Sequence, residues 1–292
     1  NSVSNTYTWT YDSTGPTMTI TSATVASGAT TATAAIVFVY TSNEDTTDFA
    51  LADITATGCN NAGWGATNAK VYGSTCTVSA DTAASVLVAV DKFTDSTGNN
   101  NQVSNTYSWT QDDTGPTMTI TSATVDSGSS TNTGAVVLVY TSNEVTVNFA
   151  LVDITVTECV QSAFTAENGG LVYGSTCTED SSGTTPTVLV AINKFTDATG
   201  NNNQASNTYT WTYETAKPSM AITSTAGTAD GGSSNVEAFA LTFTSSETTA
   251  NFVVGDITAT GGDGCTLGGF GASGGSTSVY VATCTPDNDG ET

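Results

Sequence analysis

The chain has 292 residues, 27 of them acidic against four lysines, with no arginine or histidine, for a net charge of −23. That balance excludes nucleic-acid binding and adsorption to anionic lipid, which both need cations facing phosphate. The absence of histidine removes the commonest general base and every Ser-His or Cys-His nucleophile, so the chain is read as non-catalytic.

Residues 1–11 contain Ser-Asn-Thr-Tyr-Thr-Trp-Thr, the first of three copies of Ser-Asn-Thr-Tyr-x-Trp-Thr; the others close at Thr110 and Thr212. They therefore read as the final strand of an upstream repeat. Asp12-Ser-Thr-Gly-Pro-Thr-Met-Thr-Ile-Thr-Ser-Ala-Thr-Val25 opens repeat 1 and returns from Asp112 to open repeat 2. A weaker version, Glu214-Thr-Ala-Lys-Pro-Ser-Met-Ala-Ile222, opens repeat 3. The boundaries are 12–111, 112–213 and 214–292, with repeat 3 incomplete at its C-terminal side, as in a window from a longer array. Self-similarity at this period marks a repeat protein whose units are each large enough to hold a core.

Within repeat 1, Thr17-Met-Thr-Ile-Thr alternates, which turns Met18 and Ile20 inward. Further strands are predicted over 35–40, 49–54, 70–78, 86–93 and 103–109, with a glycine-rich excursion over 58–65. About seven short strands in about 100 residues, without helical periodicity, describe an all-β, two-sheet sandwich. Trp9, Trp109 and Trp211 alternate with threonine and are expected in the core. Trp64 lies in the glycine-rich stretch and is the better candidate for a ligand-contacting aromatic.

As an ordered set, Asp-x-Thr-Gly-Pro, Ser-Asn-Glu, Asp-Ile-Thr and Phe-Thr-Asp-x-x-Gly-Asn resemble the tandem bacterial-type immunoglobulin-like (Big-like) domains of large extracellular adhesins and some microalgal surface proteins. The resemblance implies tandem immunoglobulin-like β-sandwiches in an elongated array, at the cell surface. It names no ligand.

The six cysteines fall two per repeat, and the periodicity favours local bridges Cys59–Cys76, Cys159–Cys177 and Cys265–Cys284. Each closes a loop worth roughly 3 kcal/mol and implies an oxidising compartment. Two thiolates per repeat without histidine cannot complete a tetrahedral metal shell.

Oxygen ligands recur at strand ends: Asp12, Asp112 and Glu214 in the linkers; Glu44, Glu144 and Glu247 after the second strand; Asp95 with Asn99, and Asp197 with Asn201, after the sixth. In an immunoglobulin-like topology these meet at one pole. Asp53, Asp153 and Asp256 are expected near the opposite pole, within reach of the next linker. Converging carboxylates are what Ca2+ requires; plain turn chemistry explains the same residues. Lys217 replaces the linker glycine in repeat 3.

Paired carboxylates can hydrolyse glycosides, but these recur once per repeat, whereas an active site is unique. The Thr-x-Thr runs return too rarely for an ice-binding face. Isopeptide bonds at Lys92 or Lys194 rest on position alone. No Asn-x-Ser/Thr sequon occurs, the serine and threonine density leaves O-glycosylation open, and no apolar run reaches the roughly 18 residues of a membrane span. Two functional classes remain: a stalk, shaft or filament wall such as a flagellar hair, and a module binding carbohydrate or a surface receptor. Expected partners are neighbouring repeats, further copies in a filament, and a glycan or receptor; Ca2+ is the expected cofactor.

Overall fold

The structure, a computed structural model, describes residues 2–224, 230–231, 236–260 and 264–287. The chain divides into two compact units, Asn1–Glu214 and Thr215–Thr292.

Repeat 1 is a sandwich of eight strands: β1 (Met18–Ser22), β2 (Thr30–Thr31), β3 (Ala35–Ser42), β4 (Ile54–Thr57), β5 (Asn60–Asn68), β6 (Val71–Thr77), β7 (Thr82–Val88) and β8 (Tyr107–Gln111). One sheet runs β1-β3-β6-β5 and the other β2-β8-β7-β4. All pairs are antiparallel except the short parallel contact of β2 with β8. Period-two patterning sets the inner faces: Met18, Ile20, Ile36, Phe38, Tyr40, Tyr72 and Cys76 from one sheet meet Val86, Val88, Tyr107 and Trp109 from the other. Phe38 lies 5.3 Å, ring to ring, from both Tyr107 and Trp109.

Repeat 2 repeats the plan with β9 (Met118–Ser122), β10 (Ser130–Thr131), β11 (Ala135–Ser142), β12 (Ile154–Thr157), β13 (Cys159–Glu167), β14 (Val172–Glu179), β15 (Thr187–Val190), β16 (Tyr209–Thr210) and β17 (Thr212–Tyr213). The last two are one strand interrupted at the buried Trp211. In repeat 3, β18 (Met220–Ser224), β19 (Phe239–Ser245), β20 (Cys265–Ala272) and β21 (Val279–Pro286) form one sheet in the order β18-β19-β21-β20. Among the described residues repeat 3 holds no second sheet, and its buried apolar cluster is small: Phe243, Tyr280 and Ala282. Helical structure is confined to single 3-10 turns among the described residues.

Two expectations are corrected. Residues 49–54 are not a strand: Leu51–Asp53 form a 3-10 turn, closed by the Asp53 carboxylate accepting from Ala50 N at 2.8 Å, and the strand starts at Ile54. The glycine-rich stretch is not a loop but the edge strand β5, paired with β6. Its register slips between Ala62 and Gly65, where Gly63 has φ 66°; an edge strand needs few apolar residues, so its alternation is faint, and glycine accommodates the bulge. Trp109 and Trp211 are buried in the cores of repeats 1 and 2, as expected.

Two asparagines hold the loops of each sandwich. Asn101, fully buried, accepts from Lys92 N and Phe93 N through Oδ1 and donates to Ala89 O and Gln102 O, all at 2.6–3.0 Å; Asn203 makes the equivalent four bonds in repeat 2. Asn105 brackets the backbone of Ile20, accepting from its N–H (2.8 Å) and donating to its carbonyl (3.0 Å). Asn207 does the same to Ile120. The linker glycine has a separate cause: a Cβ on Gly15 would sit 1.8 Å from Asn100 O, and on Gly115 1.8 Å from Asn202 O. Repeat 3, which has no counterpart of that loop among the described residues, carries Lys217 there.

Replacing Asn101 by alanine strands buried N–H and C=O groups, so denaturant melting should show a loss of about 3 kcal/mol or more. The exposed neighbour change Asn100→Ala should fall within about 0.5 kcal/mol of the parent.

Candidate functional site

The strand ends bring three carboxylates together at one pole of each complete repeat. In repeat 1, oxygens of Asp12, Glu44 and Asp95 lie within 4.8 Å of one another; in repeat 2, those of Asp112, Glu144 and Asp197 do. The linker supplies the first, the turn after β3 or β11 the second, and the loop after β7 or β15 the third.

Asp95 is the fixed member. Its Oδ1 accepts from Thr97 N (2.8 Å), Thr97 Oγ1 (2.9 Å) and Asn99 N (2.9 Å), and its Oδ2 from Asn99 Nδ2 (2.9 Å). Burial acts to raise its pKa, but the bonds from Asn99 and Thr97 prevail and hold it at about 2. Asp197 is lowered in the same way: burial opposes, and bonds from Asn201, Thr199 and Gly200 outweigh it. Glu144 moves upward, first through burial and then through repulsion from Asp112, Asp197 and Asp81.

Asn99 and Asn201 lie at the site and act there as hydrogen-bond donors. Each directs its Nδ2 at its Asp partner and at the linker carbonyl, Asp12 O (3.3 Å) or Asp112 O (2.9 Å). Asp53 and Asp153 leave the candidate set. The register Ile54↔Val88 places Asp53 at the same end of the sandwich as Asp95, not at the opposite pole. Its Oδ2, like that of Asp153 (2.9 Å), caps the local turn instead of joining the cluster. Asp256 does likewise for Val253 N.

The opposite pole is served by Asp81, which the periodicity did not reveal. Its carboxylate accepts from Asp113 N at 2.7 Å and from Thr114 Oγ1, tying the β6–β7 loop of repeat 1 to the linker of repeat 2. The loop differs in length between repeats, so alignment by period hides it; at the end of repeat 2 a serine does the corresponding work, with Ser182 Oγ donating to Glu214 Oε1 at 3.1 Å. Asp81 thus adds a fourth carboxylate beside the repeat 2 cluster. In repeat 1 a lysine lies on the same turn: Lys70 Nζ donates to Asn43 O at 3.0 Å and lies 4.0 Å from Asp45. Leu171 holds that backbone position in repeat 2.

Trp64 is not displayed to solvent as a platform. It is half-buried, stacked on Tyr72 at 5.3 Å with an interplanar angle of 10°, and edge-on to Phe49. Phe164 on Tyr173 and Phe270 on Tyr280 repeat the stack. Disulfides join Cys59 to Cys76, Cys159 to Cys177 and Cys265 to Cys284, each tying the start of the edge strand to its neighbour. Lys92 and Lys194 are exposed, so neither amine is held in the interior for an isopeptide bond.

Residues 214–292 match the family model of the bacterial Ig-like domain. Repeat 3 is thus similar to the bacterial Ig-like domain. Repeats 1 and 2 share its Asp-Ile-Thr segment and its Thr-Ser-x-Glu turn. Similar solved structures include invasin, a bacterial integrin-binding protein (14% identity, 93% of this chain and 55% of that one, TM-score 0.31). They also include InvD of Yersinia pseudotuberculosis (14% identity, 93% and 80% coverage, TM-score 0.35). A third is the N-terminal eight Ig domains of Down syndrome cell adhesion molecule (9% identity, 92% and 38% coverage, TM-score 0.23). The chain thus spans about half of the invasin structure. No curated protein matches the chain. No helix among the described residues is long and apolar enough to cross a membrane.

The pKa directions set the sign of the pH response. Asp95 is lowered, so its stabilisation is complete above the ordinary carboxylate value of roughly 3.9 and is lost as pH falls through about 2. Glu144 is raised, so it favours the fold when protonated and loses that contribution as pH rises through its shifted value. In a metal-free buffer at neutral pH, Glu144→Gln should therefore raise Tm. Asp95→Asn should lower Tm at neutral pH and flatten its decline below pH 4, as read by thermal melts across acid pH.

Proposed function

We propose that the chain is a non-catalytic, extracellular structural array, a stalk or filament shaft, whose repeat junctions are stiffened by Ca2+. The observation that carries this reading is the recurrence of one three-carboxylate pole at the linker of both complete repeats. A spacer needs each unit to do the same job, and the Asp112 pole lies where repeat 1 joins repeat 2. There Asp112 N donates to Thr31 O of repeat 1 at 3.0 Å, while Asp112 O accepts from Asn201 of repeat 2.

The donor set suits a hard cation. It is made of oxygens alone, and Glu144 is held at a raised pKa by burial and then by its like-charged neighbours, the second of which a divalent ion would relieve. Asp112, Glu144 and Asp197 would hold the ion, with Asp81 beside them; Asp12, Glu44 and Asp95 would do so in repeat 1. Three disulfides support an oxidising, extracellular setting. The alternative of a sugar-binding module loses its main candidate, because Trp64 is stacked on Tyr72.

Terbium luminescence should titrate two sites per chain, and Glu144→Gln with Asp197→Asn should remove one. Stretching single chains by atomic-force microscopy should release roughly 33–36 nm per repeat of about 100 residues. The unfolding force should fall on adding EGTA. Neither a terbium signal nor a force change with chelator would leave the junction as ordinary turn chemistry.

A further inference from the structure

The strands of repeat 1 contain no charged residue, and in repeat 2 the acids within strands, Glu167 and Glu179, are the last residues of β13 and β14. The charge of these repeats therefore sits on turns and loops, and the flanks of both sandwiches are neutral. On the outer face of the sheet β1-β3-β6-β5, Val37 and Val39 form a ridge along β3, 52% and 39% exposed. Val137 and Val139 repeat the ridge on β11, where Val137 is 47% exposed and Val139 half-buried.

Beside each ridge lies a trough. The register sets Val39 opposite Gly73 on β6, and Val139 opposite Gly174 on β14. Glycine inside a strand gives up stability, and it marks places where another backbone or a ligand comes close. Neither glycine has a positive φ. A Cβ on Gly73 would meet Phe38 O at an ordinary 3.5 Å; on Gly174 it would meet Thr165 Oγ1 at 2.9 Å, the rotatable end of a side chain. Repeat 3 shows that the fold does not need the pair. There Phe243 faces Tyr280 as Tyr40 faces Tyr72, and the adjacent pair is Thr242 opposite Val281. In repeat 2 the trough is an open groove of about 210 Å3, lined by Val137, Val139, Thr165, Val172 and Gly174 among others.

We propose that this outer face is a surface for lateral self-association: a second copy of the chain packs the same face against it about a two-fold axis, the valine ridge of each in the glycine trough of the other. Charge selects the occupant. A second copy of a chain at −23 is repelled by the acidic turns and comes close only along a neutral flank. Of the neutral flanks, this one carries a ridge next to a trough, a shape complementary to its own two-fold image. A four-stranded face covers roughly 440 Å2, so one face against another buries roughly 900 Å2 in all, small for a stable dimer. The faces of both repeats together reach roughly 1,800 Å2, the size of a standard interface, so pairing uses repeats 1 and 2 at once. The contact uses no carboxylate, so it can fail while the calcium reading stands, and the reverse.

The test is sedimentation velocity on the full chain in EDTA, over a wide concentration range, at low and at high NaCl. Association should grow with concentration and with salt, which screens the acidic turns. Val39→Thr with Val139→Thr, the residue that repeat 3 carries there, should weaken it about tenfold or more. Gly73→Val, again the repeat 3 residue, should weaken it by filling a trough, while Tm stays at or above that of the parent. Val37→Glu, at an exposed position, should abolish pairing by setting a carboxylate on the neutral face. β3 and β6 are the central strands of their sheet, so association through the sheet edges would be indifferent to all three changes. Such indifference, or a parent that stays monomeric at every concentration and salt, would overturn the proposal. So would a monomeric parent retained on an insoluble polysaccharide until Val39→Thr with Val139→Thr releases it, which would give the face to a glycan.

Discussion

Each sandwich rests on the seating of one strand: Tyr107 and Trp109 of β8 against Phe38 of β3, with Asn105 locking the crossing by holding both backbone groups of Ile20. A sheet with one apolar face must bury it against another layer, and this strand closes the interior from the second sheet. Where it is present, Ile20, Phe38 and Tyr40 are almost wholly buried. Where repeat 3 lacks a counterpart among the described residues, the buried cluster contracts to Phe243, Tyr280 and Ala282. The same packing fixes where each strand stops, and so where the polar turns gather.

Those turns gather acids. A carboxylate placed beside two others is costly unless something answers its charge, and the molecule answers it in two ways. Asp95 and Asp197 are wrapped in N–H and O–H donors from their own loops, which lowers their pKa values despite burial. Glu144 accepts only one long bond, from Asn143 (3.5 Å), and burial with its like-charged neighbours moves it the other way. The pole is therefore a rigid acceptor, Asp197, opposite an ionisable group whose charge is unpaid, and Asp81 reaching across from repeat 1 sharpens the imbalance at the inter-repeat linker.

The edge strand and its disulfide form a second, apolar theme. β5 carries mostly small and polar residues, but its single large side chain, Trp64, lies on Tyr72 and closes an aromatic cluster with Phe49 and Phe93. Phe164 and Phe270 do the same on Tyr173 and Tyr280. Aromatic contact at this place is thus common to all three repeats, although tryptophan is not. The bridge from Cys59 to Cys76 holds the edge strand to β6, alongside a bulged ladder.

The sequence by itself determined the repeat period, the all-β sandwich and the inward faces of β1 and β3. These follow from alternation along a strand and from motif recurrence, which are local properties of the chain. It also showed which acids and amides recur. Only the tertiary structure decided what they do. Asp53 caps its own turn, Asn99 donates to Asp95, and Trp64 lies on Tyr72. Asp81 escaped notice because its loop varies in length, and Gly15 is glycine because Asn100 O passes where a Cβ would be. In each case the deciding partner is distant in sequence or lies in the next repeat. Periodicity records which way a side chain faces, not what stands opposite it.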